Sequence, residues 1–408
     1  MLPRTHRIPS PESDRRPAPD GRETSQSDAL RWPTVAALDV LAERFRAFGG
    51  TSTHSRAPLY SRLCAAIADE TDVLALLQHA PEQQQLPVLL FAGVHYLLLE
   101  GLGPDLAAHY PNLGAATPAG TPPAGDAASL FRQFALDHAD ELTAVISTRS
   151  TQTNEVGRCA QFVPAFGILA EEVGALAHVD VGTSAGLNLL LPRYTIDYEP
   201  GGRVDGIDPS DTVLLHCATR GDVPVPASMP VITASVGLDR EPIDVLDDDE
   251  VRWLEACVWP DQADRFARLV AAIALARRHP PAVRRGDAVA DLAATIDTVA
   301  HLGHPVVTNS WVLNYLPDDV RLAYVAELDR LGSQRDLSWV IAEAPGQTVG
   351  LPVPTTPEPE EITVVSLVRW RDGERTVHRL GTTHPHGYWL HWAPYEPVVT
   401  RTGTSVRG

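Results

Sequence analysis

The run His178-Val-Asp180-Val-Gly182-Thr-Ser184-Ala-Gly186-Leu-Asn188-Leu-Leu190 decides how the rest of the chain is read. Ala177–Val181 is a short run with apolar residues at alternate positions, which predicts a strand. Two glycines four residues apart and a leucine-rich stretch follow, which predicts a tight turn and then a helix. Gly182 lets the backbone turn, and Gly186 lets the helix begin close to the strand. A helix N-terminus there presents free N–H groups to a polar ligand. Asp180, at the strand end, is placed to hold a cationic or hydroxyl-bearing group. An ordinary βα turn uses the same residue types, so the run needs company before it means a site.

Three downstream segments supply it. Val236-Gly-Leu-Asp239-Arg-Glu-Pro242 ends a strand in an acid, where a carboxylate can accept both hydroxyls of a ribose. Arg285-Gly286-Asp287-Ala288 sets a second acid after the next strand, within reach of an adenine amino group. Val306-Val-Thr-Asn309-Ser310-Trp311-Val-Leu-Asn314-Tyr-Leu-Pro317 ends a further strand in polar and aromatic residues. Asp239 and Asp287 taken singly read equally well as helix caps. In this order, the four segments together describe a nucleotide-type site.

Around these segments the pattern is α/β. Val156, Cys159, Val163 and Phe166 predict a helix from about 155 to Gly174. Strands are expected at 231–236, 281–285, 305–309, 338–342 and 363–370, and amphipathic helices at 261–278 and 318–331. Such alternation argues for a parallel sheet with helices on both faces. The pair 363–370 and 374–380 around Asp372-Gly373 predicts a hairpin and an antiparallel edge. Before 155 the spacing is helical, with stripes at Leu38, Leu41, Phe45, Phe48 and at Leu130, Phe134, His138, Leu142. The expected organisation is a disordered tail at 1–32, a helical lid and substrate domain at 33–154, an α/β domain at 155–395 and a tail at 396–408.

The 408 residues carry a formal net charge of −19. A surface that acidic repels phosphate backbones and anionic headgroups, which argues against nucleic acid and membrane partners, whereas a cationic cofactor is not repelled. All 33 basic residues are arginine. With no lysine, a Walker-type phosphate loop, a pyridoxal Schiff base and a protein-kinase site are excluded. Cys64, Cys159, Cys217 and Cys257 show no C-x-x-C spacing, so neither a disulfide framework nor a metal site is expected. No apolar run has the length of a membrane span or the form of a secretory signal, and a cytoplasmic protein is expected.

A second polar cluster lies in Thr148-Arg149-Ser-Thr-Gln152-Thr-Asn154-Glu155-Val-Gly-Arg158, at the junction of the two expected domains, where ligand pockets concentrate. The alternative is a capped helix start, with Thr153 or Asn154 as cap and Glu155 in the first turn. As a site, Arg149, Gln152, Asn154, Arg158 and Trp311 would bind a small-molecule substrate, and the two arginines favour an anionic one. Glu155 and His386 are the candidates for a general base. His384 and His386, with Trp389 and Trp392 behind, would flank the substrate.

The segments from Asp180 to Pro317 resemble the class I S-adenosylmethionine (SAM)-dependent methyltransferases. Asp180, Gly182 and Gly186 match their glycine-rich loop, Asp239 their ribose acid, Asp287 their adenine-contacting acid and Asn309–Pro317 their fourth-strand segment, and Ser184 and Ala288 are counted with these as cofactor contacts. From about 35 to 392 the chain is also similar to a bacterial family of unknown function with that fold. That likeness is carried by Thr148–Arg158, the Gly-Thr-Ser-Ala-Gly-Leu-Asn run, Ala256-Cys-Val-Trp-Pro260 and His384-Pro-His-Gly387. The resemblance implies a methyltransferase-type (Rossmann-like) seven-strand sheet with SAM as cofactor and supplies no substrate; the reaction expected is methyl transfer to a small-molecule acceptor. Two departures stand out: Ser184 replaces the loop's usual central glycine, and some forty residues separate Asn188 from Val231. A group-transfer enzyme or binding protein that kept the fold without SAM is the nearest alternative. A hydrolase is the other: Gly182-Thr-Ser184-Ala-Gly186 is also a G-x-S-x-G sequence, and Ser184, Asp287 and His386 follow the triad order of α/β-hydrolases.

Overall fold

Strand Leu176–Val181 is buried at every residue and has a parallel neighbour on each side. It is β1 of a twelve-strand sheet in the computed structural model, which describes residues 35–50, 56–113, 123–347, 351, 362–394 and 398–401. The others are β2 (Thr195–Glu199), β3 (Gly202–Val204), β4 (Leu214–Arg220), β5 (Ile232–Asp239), β6 (Val283–Arg285) and β7 (His304–Ser310). β8 (Leu337–Glu343), β9 (Thr363–Arg371), β10 (Glu374–Thr383), β11 (Trp389–Trp392) and β12 (Val398–Arg401) complete the set. The expected tail at 1–32 lies outside the described residues. Val398–Arg401, within the stretch expected as a second tail, pairs with β10, so the α/β part runs past 395.

Half of the sheet, β6-β5-β1-β7-β8, is parallel throughout. The first strand is central and the order reverses between β1 and β7, the doubly wound arrangement whose ligands sit beyond the strands' carboxyl ends. Helices Cys159–Val173 and Ala263–Arg278 cover one face, and Leu292–Val299 and Asp318–Gly332 the other. The expected hairpin forms as β9 and β10, antiparallel to each other.

The seven-strand expectation is corrected. The forty residues between Asn188 and Val231 hold β2, β3 and β4, which leave the parallel half and extend the far edge through β11. The expected helix after Gly186 is corrected too: a 3₁₀ turn, Leu187–Arg193, stands there. Pro192 has no N–H to continue a helix, and β2 begins three residues later.

Among the described residues, 35–148 form helices and turns only. Their centre is helix Pro87–Leu99, apolar on all sides and almost wholly buried. Phe91 stacks on Tyr60 at 4.3 Å and meets Phe45 and Phe131 edge-on. The α/β part reaches into this core with helix Asp248–Ala256, whose start Asp247 caps through two backbone N–H groups. Trp253 on that helix is 2% exposed and donates its indole N–H to the Ser150 carbonyl at 2.8 Å. Truncating a buried tryptophan costs roughly 3–5 kcal/mol. Trp253→Ala should therefore lower the melting temperature sharply, and a melt within a degree of the parent would show that the two parts are not packed this way.

Candidate functional site

Loops at the carboxyl ends of β1, β5, β6 and β7 line one cleft of about 1070 Å³, with Phe48, Arg56, Gln84 and 147–153 of the helical part across from them. The sheet contributes Gly182, Ser184, Asp239, Asp287, Ala288, Ser310 and Trp311, and Arg149, Gln152, Arg158 and His386 join them. Most of the residues expected from the sequence therefore meet in one place. Asp180, Gly186, Asn154, Glu155 and Asn309 stand behind the lining.

The loop after β1 is held from within. Gly182, Ser184 and Gly186 all take positive φ, with Ser184 at 54° where glycine is favoured. Gly182 and Thr183 donate their N–H groups to the Leu238 carbonyl, Gly186 to that of Thr183, and Leu187 to Asn154 Oδ1 at 3.0 Å. Ser184 N–H goes to Asp239 Oδ2 at 2.7 Å, and its Oγ donates to Gln152 Oε1 at 2.9 Å. The expected row of free N–H groups is thus absent from these five residues. Gln152 and Asn154, expected on the substrate, strap the loop instead. Gly186 faces Pro281 and Val283, where a Cβ would meet their side chains at 2.6–2.9 Å.

Asp239 also accepts from the Glu241 N–H at 2.9 Å, which leaves each oxygen of this cleft-lining carboxylate one lone pair unused. Asp287 caps its own turn, and the N–H groups of Ala290 and Val289 hold its carboxyl below the usual range. Asp180 accepts from Thr183 and Thr308 and is 2% exposed; burial pushes it up to about 6. It braces the loop from below rather than touching a ligand. No hydrolase triad is assembled, because Ser184 Oγ has Gln152 as partner and Asp287 is a cap.

Two expected roles at the junction are corrected. Arg149 pairs with Asp249 and stacks over Tyr96 and Trp253 at 5.3 and 5.4 Å, a strut between the helical part and helix Asp248–Ala256. Glu155 is buried and meets Arg265, Arg268 at 3.3 Å and the Gly157 N–H at 3.0 Å. Burial would raise its pKa, but Arg265 and Arg268 outweigh that and hold it low, so it is a fixed anion and no proton acceptor.

Arg158 donates from Nε to the Pro385 carbonyl at 2.8 Å and from Nη1 to the Ser310 carbonyl at 3.1 Å. The turn at 384–387 lies against it so closely that a Cβ on Gly157 would come within 2.4 Å of the His386 carbonyl. The two motifs expected to flank the substrate therefore touch through their backbones. Burial first, then Arg265 and Arg158, push the His386 pKa far down, so its ring is neutral. Its Nδ1 is buried without a hydrogen-bond partner, 3.8 Å from Glu155 Oε2.

Trp311 has φ +58° and donates its indole N–H to Thr363 Oγ1 at 2.7 Å. Its loop is held by Glu343, whose Oε1 accepts from Asn309 Nδ2 and from the Val312 and Leu313 N–H groups at 2.8–3.2 Å. Asn309, expected on the cofactor, is wholly buried in this network. Sequence reading passed over Glu343, Arg265 and Arg268. The first was detectable as the single charge ending a strand buried at every residue. The arginines sit in an amphipathic helix and look like any solvated face.

These features define an α/β protein with a cleft at the switch point of a doubly wound half-sheet. The chain belongs to the family described as "Uncharacterized protein conserved in bacteria (DUF2332)", whose model matches residues 42–392. No curated protein matches it. Among solved structures it is similar to an S-adenosylmethionine-dependent methyltransferase from Clostridium acetobutylicum, at 10% identity over 67% of this chain and 82% of that one, with a TM-score of 0.19. Among the described residues no helix is long and apolar enough to cross a membrane, and no group of three or more His, Cys, Asp or Glu is placed to hold a metal ion.

Burial pushes the Glu343 carboxyl from an ordinary 4.5 to about 7, and among the described residues its Oε2 has no hydrogen-bond partner. The folded protein thus keeps a proton there that the unfolded chain releases. This contribution to stability is full below about pH 4.5 and is lost as the pH rises through 7, a change of about 3 kcal/mol at most. Asp180, raised to about 6, acts in the same direction. Glu343→Gln imitates the protonated form and should melt higher than the parent at pH 8 and level with it at pH 4.5. Equal loss at both values would contradict the buried proton.

Proposed function

We propose that the chain is a methyltransferase that binds S-adenosylmethionine in this cleft and passes the methyl group to a small-molecule acceptor. One observation carries the reading: the loop after β1, the acid ending β5, the acid after β6 and the aromatic segment after β7 all open on the same cleft at the sheet's switch point.

The chemistry of the loop narrows the choice of cofactor. A dinucleotide's phosphates need free backbone N–H groups, and here Gly182, Thr183, Ser184, Gly186 and Leu187 donate theirs within the protein. SAM has no phosphate and asks only for close approach to the loop. The unused lone pairs of Asp239 suit the two ribose hydroxyls, and Asp287 Oδ2, which faces the exposed Arg240 guanidinium at 3.8 Å but accepts no hydrogen bond among the described residues, suits the adenine amino group. The cofactor supplies an electrophilic methyl group carried on a sulfonium.

The remaining work is positioning. The helical part forms the wall opposite the strand ends and shields part of the cleft, which strengthens polar contacts inside. His386, kept neutral by burial and its arginine neighbours, stands on the cleft wall and helps to orient the acceptor's nucleophile; it is too weakly basic to hold the proton. Titration of the full chain with SAM by calorimetry should give saturable binding. Asp239→Ala should weaken it by about 2–3 kcal/mol, the worth of two hydrogen bonds. No heat at millimolar SAM would defeat methyl transfer, whatever else the cleft binds.

A further inference from the structure

We propose that Arg158, with Arg265 beside it, forms a carboxylate-binding subsite at the His386 side of the cleft, and that it takes the carboxylate of the acceptor. The word acceptor rests on the proposed methyl transfer; the subsite does not. Arg158 is 7% exposed and lines the cleft, yet among the described residues no carboxylate lies within ion-pair distance of it. Two of its nitrogens donate to carbonyls, and Nη2 has no partner among the described residues. Arg265, equally buried and also on the cleft wall, uses Nε on Glu155 and Nη1 on Gln262, and its Nη2 is likewise unspent.

The charges around this point do not balance. Among the described residues, Arg158, Arg265 and Arg268 face Glu155 and Asp264, and His386 is neutral, so one guanidinium lacks a counter-charge. Glu343 and Asp180 act on Arg158 from further off, and burial disfavours the charged form of both. Leaving a buried charge unpaired is expensive, so the arrangement asks for an anion from outside. In a chain of net charge −19 this is a local reversal of sign. A carboxylate fits best, because a guanidinium fork donates two parallel hydrogen bonds to its two oxygens, and the Trp311 ring 5.9 Å from the Arg158 guanidinium offers an apolar wall for the rest of the molecule. The side also matters: Arg158 is tied to the end of β7 and the 384–387 turn, whereas Asp239 and Asp287 stand on β5 and after β6, across β1.

The test is calorimetry on the full chain with benzoate, benzamide and inorganic phosphate, followed by S-adenosylhomocysteine. Benzoate should bind at least tenfold tighter than benzamide. Arg158→Gln should abolish that difference, and Arg158→Lys, which keeps the charge without the fork, should retain part of it. S-Adenosylhomocysteine should bind parent and Arg158→Gln alike. Equal binding of benzoate and benzamide by the parent overturns the subsite, and needs no variant to fold. Tighter binding of phosphate than benzoate overturns the ligand class. Loss of S-adenosylhomocysteine affinity in Arg158→Gln assigns the carboxylate to the cofactor and overturns the acceptor. Benzoate binding without any adenosyl ligand binding upholds the subsite and removes the methyl-transfer reading alone.

Discussion

The buried carboxylate of Glu155 is the contact on which the site depends. It joins helix Ala263–Arg278, through Arg265 and Arg268, to the Val156–Arg158 turn that leads into helix Cys159–Val173. That turn in turn supports the 384–387 turn and aims Arg158 at the end of β7. Two cations on one anion, together with a backbone N–H, offset the cost of burying the carboxylate in a way that a single pair would not. Removing the anion would leave three arginines facing one another, so this contact sets the geometry of one whole side of the cleft.

The opposite side is organised by economy of hydrogen bonds. The glycine-containing loop satisfies its own N–H groups through Asp239, Asn154 and neighbouring carbonyls, and Gln152 ties it to the Glu241 carbonyl. A loop so fully paired is rigid before any ligand arrives, which lowers the entropy lost on binding. Asp239 serves both purposes: it fixes Ser184 and still has lone pairs to offer. The cleft thus carries acids on β5 and after β6, with Arg240 beside Asp287, and the Arg158 and Arg265 guanidinium groups near the end of β7 and the 384–387 turn.

How far the sequence discloses this follows from the physics of each element. Strand β1, the two acids and the β7 segment are legible because a buried strand ending in a polar residue leaves a local signature. The strands β2–β4 are not, because they join the sheet only where β4 meets β11, far along the chain, and their alternation competes with the expectation of a helix after a glycine loop. Pro192, read for its missing N–H, was the cue to the 3₁₀ turn. The polar run 149–158 is legible as important but not as to role: only distant residues, Asp249, Glu241, Arg265 and Leu187, decide that Arg149, Gln152, Glu155 and Asn154 brace the site while Arg158 faces it. Likewise the helical core draws Trp253 and Ala256 from far along the chain, which no local pattern announces.

The central claim is that the four segments at the switch point hold one adenosyl ligand. A crystal structure of the full chain with S-adenosylhomocysteine tests it most directly. The ribose is predicted against Asp239, the adenine beside Asp287 and Ala288, and the sulfur facing Trp311 and His386. An adenosyl group bound elsewhere, or a cleft filled while Asp239 and Asp287 keep only their present partners, would contradict the account.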